Sequence, residues 1–157
     1  MDKNKFHGIF SPVPSPCNEI DEFLYDEFAG NIARLYKAGI NGIYVCGGTG
    51  DASKLRLDER KTAAEIAVKA SCEYGGQAII HVGSTHLRDS VELAMHAAHF
   101  GASAVASIPP ANCIHSQVLS YYREIADVSG IPVFVYYIPN LTHTSTSVDE
   151  MLEILDL

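Results

Sequence analysis

Five short apolar runs divide the chain, and they lie at residues 6–10, 42–46, 78–82, 104–108 and 133–137. Each run is continuous rather than alternating, and β-branched and aromatic residues are common in all five. Continuous apolar runs of this length are typical of parallel strands that are covered on both faces. The pattern therefore predicts five buried parallel strands.

The segments that follow these runs carry apolar residues at helical spacing. Phe28, Ile32 and Leu35 share one helical face after the first run, and Ser147 precedes a similar stripe after the fifth. Asp58 is the predicted N-cap of the second helix. Glycines suited to helix C-termini follow the first four stripes: Gly39, Gly75, Gly76, Gly101 and Gly130.

Strict alternation of strand and helix predicts an α/β fold with a parallel sheet and right-handed crossovers. Two architectures fit this order: an open flavodoxin-like sheet, or part of a closed (βα)8 barrel. The chain has 157 residues, whereas a complete barrel typically needs about 250 residues. We expect a single domain over residues 1–157, with a sixth strand falling beyond Leu157.

Charge narrows the range of partners. The chain has 19 acidic and 11 basic residues, for a net charge of −8. This excess of negative charge argues against nucleic acid or an anionic membrane as a partner. The polar N-terminus predicts neither a signal peptide nor a membrane span.

The cysteines are widely spaced, at Cys17, Cys46, Cys72 and Cys113, and no Cys-x-x-Cys pair occurs. We interpret them as reduced thiols of a cytoplasmic protein.

A glycine-rich segment, Gly47-Gly48-Thr49-Gly50-Asp51, follows the second predicted strand. Its backbone N–H groups and one hydroxyl could form a nest for a carboxylate or a phosphate. It has neither the Gly-Lys-Ser/Thr ending of a P-loop nor the third glycine of a dinucleotide fingerprint. The alternative interpretation is an ordinary glycine-rich turn between a strand and a helix.

Tyr136 lies at the end of the fifth predicted strand. Ligands bind at the carboxyl ends of parallel strands in both candidate architectures, so its phenol could transfer a proton there. The alternative is a core aromatic residue whose hydroxyl finds a nearby partner.

Six segments occur in register between Gly8 and Leu157: Ser15-Pro16, Gly47 to Asp51, Leu57-Asp58-Glu59-Arg60, His81-Val82-Gly83, Pro109-Pro110, and Tyr136-Tyr137-Ile138-Pro139 with Thr142. Together they resemble the N-acetylneuraminate lyase and dihydrodipicolinate synthase family of Schiff-base lyases, which handle pyruvate.

The resemblance implies an incomplete TIM (βα)8 barrel of about five βα units. It also implies that Gly48 N–H, Thr49 N–H and the Thr49 hydroxyl bind the carboxylate of a 2-oxo acid. Tyr136 would be the catalytic acid and base, and a lysine on strand 6 would form the Schiff base. We expect no cofactor, no metal, a small-molecule partner such as pyruvate or a sugar acid, and a homo-oligomer.

The chain departs from the family pattern at several positions. No lysine follows Lys69, so the Schiff-base lysine is absent from this sequence. Gly48 replaces a hydroxyl residue, and Asn112 stands where synthases have a tyrosine that joins a proton relay. These two changes argue against a dihydrodipicolinate synthase. The sugar-acid dehydratase branch resembles this chain in having Gly-Gly-Thr-Gly, and His81-Val82-Gly83 favours the neuraminate lyase branch.

Three functional hypotheses remain from the sequence: a 2-oxo sugar acid lyase, a sugar-acid dehydratase, and an inactive carboxylate-binding or regulatory protein. For these 157 residues alone we expect self-association, because open sheet edges expose apolar surface. We interpret His96 and His99 as surface residues rather than metal ligands, since no third ligand is evident. His81 is interpreted as a buried, hydrogen-bonded histidine, and His115 and His143 are assigned to loops.

Overall fold

The computed structural model describes residues 6–157. Its strands are β1 (Phe10–Pro12), β2 (Gly42–Val45), β3 (Gln77–His81), β4 (Ala104–Ser107) and β5 (Val133–Val135). Its helices are α1 (Tyr25–Lys37), α2 (Leu57–Tyr74), α3 (Leu87–Phe100), α4 (His115–Ser129), α5 (Pro139–Thr142) and α6 (Val148–Leu155). The predicted alternation of strands and helices is confirmed, with α5 as an added short helix.

The five strands form one parallel sheet in the order β1-β2-β3-β4-β5. Each strand pairs with the next one in sequence, as in a (βα)8 barrel. A flavodoxin-like sheet has the order 2-1-3-4-5. The open flavodoxin-like alternative is therefore wrong, and the prediction of a partial barrel is confirmed.

The two faces of the sheet have different surroundings. Ile43, Val45 and Ile80 belong to the large core between the strands and the helices. Tyr44 and Ile79, which alternate with them, belong to a small second cluster on the opposite face. This two-residue alternation separates a helix-covered face from a face that corresponds to the inside of a barrel.

The first strand lies later than predicted. Residues 6–10 were the expected strand, but the ladder with β2 runs from Phe10 to Pro12. Before it, the Asn41 side chain accepts a hydrogen bond from Ile9 N–H at 2.9 Å, and Ile9 O accepts hydrogen bonds from Asn41 N–H and Gly42 N–H. The regular ladder begins only after these contacts, at Phe10. Pro12 is tolerated because β1 is an edge strand of the described sheet.

Two other predicted boundaries are wrong. The fifth strand ends at Val135 rather than at residue 137, because Pro139 is the first residue of α5. The N-cap of α2 is Arg56 rather than Asp58. The Glu59 carboxylate accepts a hydrogen bond from Arg56 N–H at 2.8 Å, and this bond fixes the start of the helix two residues earlier.

The ends of several helices follow the predicted residue types. Ser147 is the N-cap of α6, and its hydroxyl accepts a hydrogen bond from Glu150 N–H. Gly75, Gly101 and Gly130 are left-handed C-caps. No helix within residues 6–157 is both long enough and apolar enough to cross a membrane.

Candidate functional site

A cavity of about 670 Å³ opens where the strands end at their carboxyl edge. Gly47 and Gly48 from the loop after β2 line it, as does Tyr136 after β5. Two of the predicted site residues, Gly48 and Tyr136, therefore face one cavity. Thr49 lies exposed on the same turn, one residue beyond Gly48, and is not among the residues that line the cavity.

The glycine-rich turn has a compact backbone. Cys46 enters it with a φ of 59° and Asp51 leaves it with a φ of 46°, both in the left-handed region. Asp51 N–H donates to Gly48 O at 3.1 Å. No residue of the described chain accepts a hydrogen bond from Gly48 N–H or Thr49 N–H. These two donors are available to an anion.

Gly50 is required by close packing rather than by its φ angle. A Cβ atom at this position would lie 3.1 Å from Val13 O and 3.2 Å from Cys46 N. At Gly48, by contrast, a Cβ would meet nothing within 4 Å. The shape of the turn thus depends on Gly50, whereas Gly48 keeps its surroundings open.

Asp51 pairs with a neighbouring cation at the outer side of the turn. Its carboxylate lies 2.8 Å from Lys54 Nζ and accepts a hydrogen bond from the Ser53 hydroxyl at 3.1 Å. Hydrogen bonds from Lys54 and Ser53 hold the pKa of the Asp51 carboxyl below its ordinary value. The side chain of Lys54 is 63% exposed, so this pair is a surface feature.

Three rings meet on the inner side of the sheet. The ring centroids of Tyr44, His81 and Tyr136 are each 6.2 Å from the other two. Tyr136 meets Tyr44 and His81 nearly edge-on, at 80° and 87°. The Tyr44 hydroxyl is buried without a hydrogen-bond partner among residues 6–157, and burial raises its pKa. The two neighbouring rings therefore restrict how the Tyr136 phenol can turn.

His81 is buried, as expected, but it is only partly hydrogen-bonded. Its Nε2 accepts a hydrogen bond from Ile108 N–H at 3.2 Å, which assigns the ring proton to Nδ1. Nδ1 has no hydrogen-bond partner within the described chain. Burial, and then the charge of Arg60, lower the pKa of His81 to about 4. His81 is accordingly a neutral imidazole at physiological pH.

Arg60 extends from α2 beneath the ends of β2 and β3. Its guanidinium donates to His81 O at 2.8 Å and to Gly83 O at 3.0 Å. The residue is 6% exposed, and it lines the cavity together with Cys46. Burial raises the pKa of the Cys46 thiol to about 11, so this neighbour is neutral.

A buried hydroxyl network supports the end of β4. The Tyr121 hydroxyl lies 2.7 Å from Ser107 Oγ and 2.9 Å from Ser90 Oγ, and Ser84 N–H donates to Ser90 Oγ at 3.0 Å. The Tyr122 hydroxyl donates to Ser107 O at 2.7 Å. Since Tyr136 N–H also donates to Ser107 O, at 3.0 Å, the network connects to the strand that carries Tyr136.

The remaining histidines and Asn112 lie apart from the cavity lining. His96 is half-buried on α3 and pairs with Glu65 at 3.0 Å. His115 begins α4 instead of lying in a loop, and it contacts Glu153 at 2.8 Å. No cluster of three or more potential metal ligands occurs within residues 6–157.

Tyr44 and Arg60 were not chosen as site residues from the sequence. The signal for Tyr44 was present, because it alternates with Ile43 and Val45 and so faces the opposite side of β2. In the sequence, Arg60 is recognisable only as part of the Leu57-Asp58-Glu59-Arg60 segment at the start of a helix. Its role depends on the carbonyl groups of β3, which a sequence pattern does not reveal.

A model of the Dihydrodipicolinate synthetase family matches residues 5–156. An N-acetylneuraminate lyase of Rhizobium meliloti (strain 1021) is 37% identical over 155 residues, which is 96% of this chain and 50% of that protein. The chain thus spans about half the length of the curated relatives it matches.

Solved structures agree with this match. YagE, a prophage protein of the dihydrodipicolinic acid synthase family from E. coli K12 solved in complex with pyruvate, superposes with a TM-score of 0.88 at 28% identity. The match covers 97% of this chain and 51% of YagE. A Ruminococcus gnavus sialic acid aldolase, solved as a catalytic lysine mutant, shares the fold with a TM-score of 0.92 at 23% identity, over 99% of this chain and 52% of that one. The chain belongs to the dihydrodipicolinate synthetase family, and its five βα units correspond to about half of the structures it matches.

Proposed function

We propose that the protein carrying this chain is a Schiff-base lyase that cleaves or forms a carbon–carbon bond in a 2-oxo sugar acid. In this proposal residues 1–157 are one domain, the N-terminal portion of the barrel. The observation that carries it is the shared cavity of Gly48 and Tyr136. The N-acetylneuraminate lyase name of the Rhizobium relative and the pyruvate bound to YagE support this substrate class.

The residues have separate roles. The N–H groups of Gly48 and Thr49, with the Thr49 hydroxyl, would hold the carboxylate of the 2-oxo acid. Its ketone would then lie towards Tyr136, whose phenol would donate and accept the proton as the bond breaks or forms. A lysine from a stretch outside these 157 residues would supply the amine, because an imine draws electrons from the bond to be broken.

The Gly47-Gly48-Thr49-Gly50 segment also supports a second activity, dehydration of a sugar acid through the same Schiff base. The turn would bind the same carboxylate in both reactions. Product analysis distinguishes them, since cleavage releases an aldehyde and a 2-oxo acid, whereas dehydration releases water. A third candidate function is that of a homologue that binds carboxylates without catalysis.

The test is reductive trapping on the full-length product of the gene that carries this chain. Incubation with pyruvate and sodium borohydride should add one stable adduct to a lysine outside residues 1–157, detected by intact-protein and peptide mass spectrometry. A protein that binds pyruvate but gives no adduct supports the non-catalytic alternative. A protein that neither binds pyruvate nor gives an adduct contradicts both.

A further inference from the structure

We infer that Arg60 is the fixed positive charge that selects an anionic ligand in this cavity. The inference rests on the proposed function for the identity of the ligand, a 2-oxo acid carboxylate. It assigns Arg60 as a positioning and specificity residue that acts from beneath the Gly47–Gly48 turn. None of the roles proposed above for Gly48, Thr49 or Tyr136 includes this charge.

The first argument is the lack of a compensating charge. Arg60 is 6% exposed, and its two hydrogen bonds go to the neutral carbonyls of His81 and Gly83. Its further side-chain partner is the Cys46 thiol, which is neutral, and no carboxylate forms an ion pair with Arg60 within residues 6–157. A buried cation of this kind is costly unless an anion balances it.

The second argument is the location of the charge. Arg60 lines the same cavity as Gly47 and Gly48. Its other titratable neighbours there, Cys46 and His81, are neutral at physiological pH. Two carboxylates line this cavity, those of Asp51 and Asp89, and Asp51 pairs with Lys54.

The other carboxylate, Asp89, accepts a hydrogen bond from the Ser84 hydroxyl at 3.3 Å, and its charge acts on Arg60 without forming an ion pair with it. Among the described residues that line this cavity, Arg60 is thus the buried cation without an ion-pair partner. Because it is buried, mobile salt screens it weakly, and the cavity attracts an anion in spite of the net charge of −8.

The experiment compares pyruvate with its neutral amide, 2-oxopropanamide, by calorimetric titration of the full-length protein at low and high salt. The two ketones differ in the charge of the group next to the carbonyl, so the change in their ratio of Kd values between wild type and variant isolates the contribution of the substituted residue to recognition of that charge. We expect the wild type to bind pyruvate roughly 10- to 100-fold more tightly than the amide, with the preference retained at high salt.

Arg60→Met should abolish this preference by weakening pyruvate alone, and Arg60→Lys should restore most of it. Lys69→Met is the matched control, because it removes an exposed cation from the same helix, away from the cavity lining, and should leave the ratio unchanged. A merely structural role for Arg60 would weaken both ligands equally, and that result would overturn the inference.

The ratio of Kd values for the wild type can be measured whether or not the variants fold. Equal affinity of the wild type for the two ketones, or no binding of pyruvate, would also overturn the inference. Failure of the proposed function has a different signature: a normal preference for pyruvate without any borohydride adduct.

Discussion

The rings of His81 and Tyr136 lie 6.2 Å apart, centroid to centroid, and cross at 87°. His81 is buried and fixed by the hydrogen bond that it accepts from Ile108 N–H. Tyr136 is 36% exposed and has no hydrogen bond from its hydroxyl to the described chain. A rigid neighbour therefore holds the ring of Tyr136, while its phenol oxygen stays free for a ligand.

Tyr136→Phe should reduce kcat by about 10²- to 10⁴-fold, because it removes the proposed acid and base. Stability should change little, since no internal hydrogen bond is lost. Steady-state kinetics and thermal unfolding measure both effects. Tyr137→Phe is the matched control, because the Tyr137 hydroxyl contacts the Thr146 backbone rather than the cavity. Equal activity in the two variants would exclude the proposed role of Tyr136.

Gly50→Ala should destabilise the protein by about 1–3 kcal/mol, because the added Cβ lies too close to Val13 O and Cys46 N. The distorted turn should also raise KM for the 2-oxo acid. Gly48→Ala tests the same turn without the clash, and its free energy of unfolding should remain within about 0.5 kcal/mol of the wild type. Denaturant titration provides both values, and a larger loss at Gly48 than at Gly50 would contradict this account of the turn.

Tyr121→Phe should cost about 1–3 kcal/mol of stability, because it removes the hydroxyl that is bonded to two buried serine hydroxyls. In the double variant Tyr121→Phe/Ser90→Ala the losses should be less than additive, because both substitutions break the same Tyr121–Ser90 hydrogen bond. A double-mutant cycle by chemical denaturation measures the coupling. Additive losses would show that the hydroxyl network does not act as a unit.

The depressed pKa of His81 predicts a stability that depends on pH. Its ordinary pKa is about 6.5 and its pKa in the folded chain is about 4. As the pH falls, the unfolded chain therefore takes up a proton on His81 at a higher pH than the folded chain does. The contribution of the neutral His81 to the free energy of unfolding is fully present above pH 6.5 and is lost as the pH falls towards 4. The loss should reach on the order of 3 kcal/mol. His81→Gln should remove this slope, and an unchanged slope would show that other groups cause it.

The isolated 157-residue chain should self-associate. Apolar side chains at Phe134, Leu152 and Leu155 are 39%, 54% and 61% exposed, and β1 and β5 are edge strands of the described sheet. Light scattering after size-exclusion chromatography measures the mass. Replacing Leu152 and Leu155 with glutamate should shift it towards the monomer. A wild-type chain that elutes as a stable monomer would contradict this expectation.

The sequence allowed prediction of the order of elements because the apolar runs and helical stripes are local signals. It misplaced β1, where the Asn41 side chain, 32 positions away, contacts Ile9. Asp58 illustrates a similar error at shorter range, because the Glu59 side chain determines the start of α2. Patterns report which residues favour an element, and competing side-chain contacts determine where it begins.

The residues of the candidate site also form two groups, those that the sequence indicates and those that only the structure reveals. Gly48, Thr49 and Tyr136 could be chosen from the sequence because each belongs to a short motif at the end of a strand. The supporting residues could not be chosen in this way, because Arg60 and Tyr121 lie on helices and bond to groups of strands that are distant in the sequence. Their partners, His81 O and Ser107 Oγ, are 21 and 14 positions away.

A crystal structure of the full-length protein with pyruvate tests the central claim most directly. The account predicts a pyruvate carboxylate that accepts hydrogen bonds from Gly48 N–H and Thr49 N–H, with the Tyr136 phenol facing the former ketone. Pyruvate bound outside this cavity, or bound in it with its carboxylate turned away from the glycine-rich turn, would contradict the account.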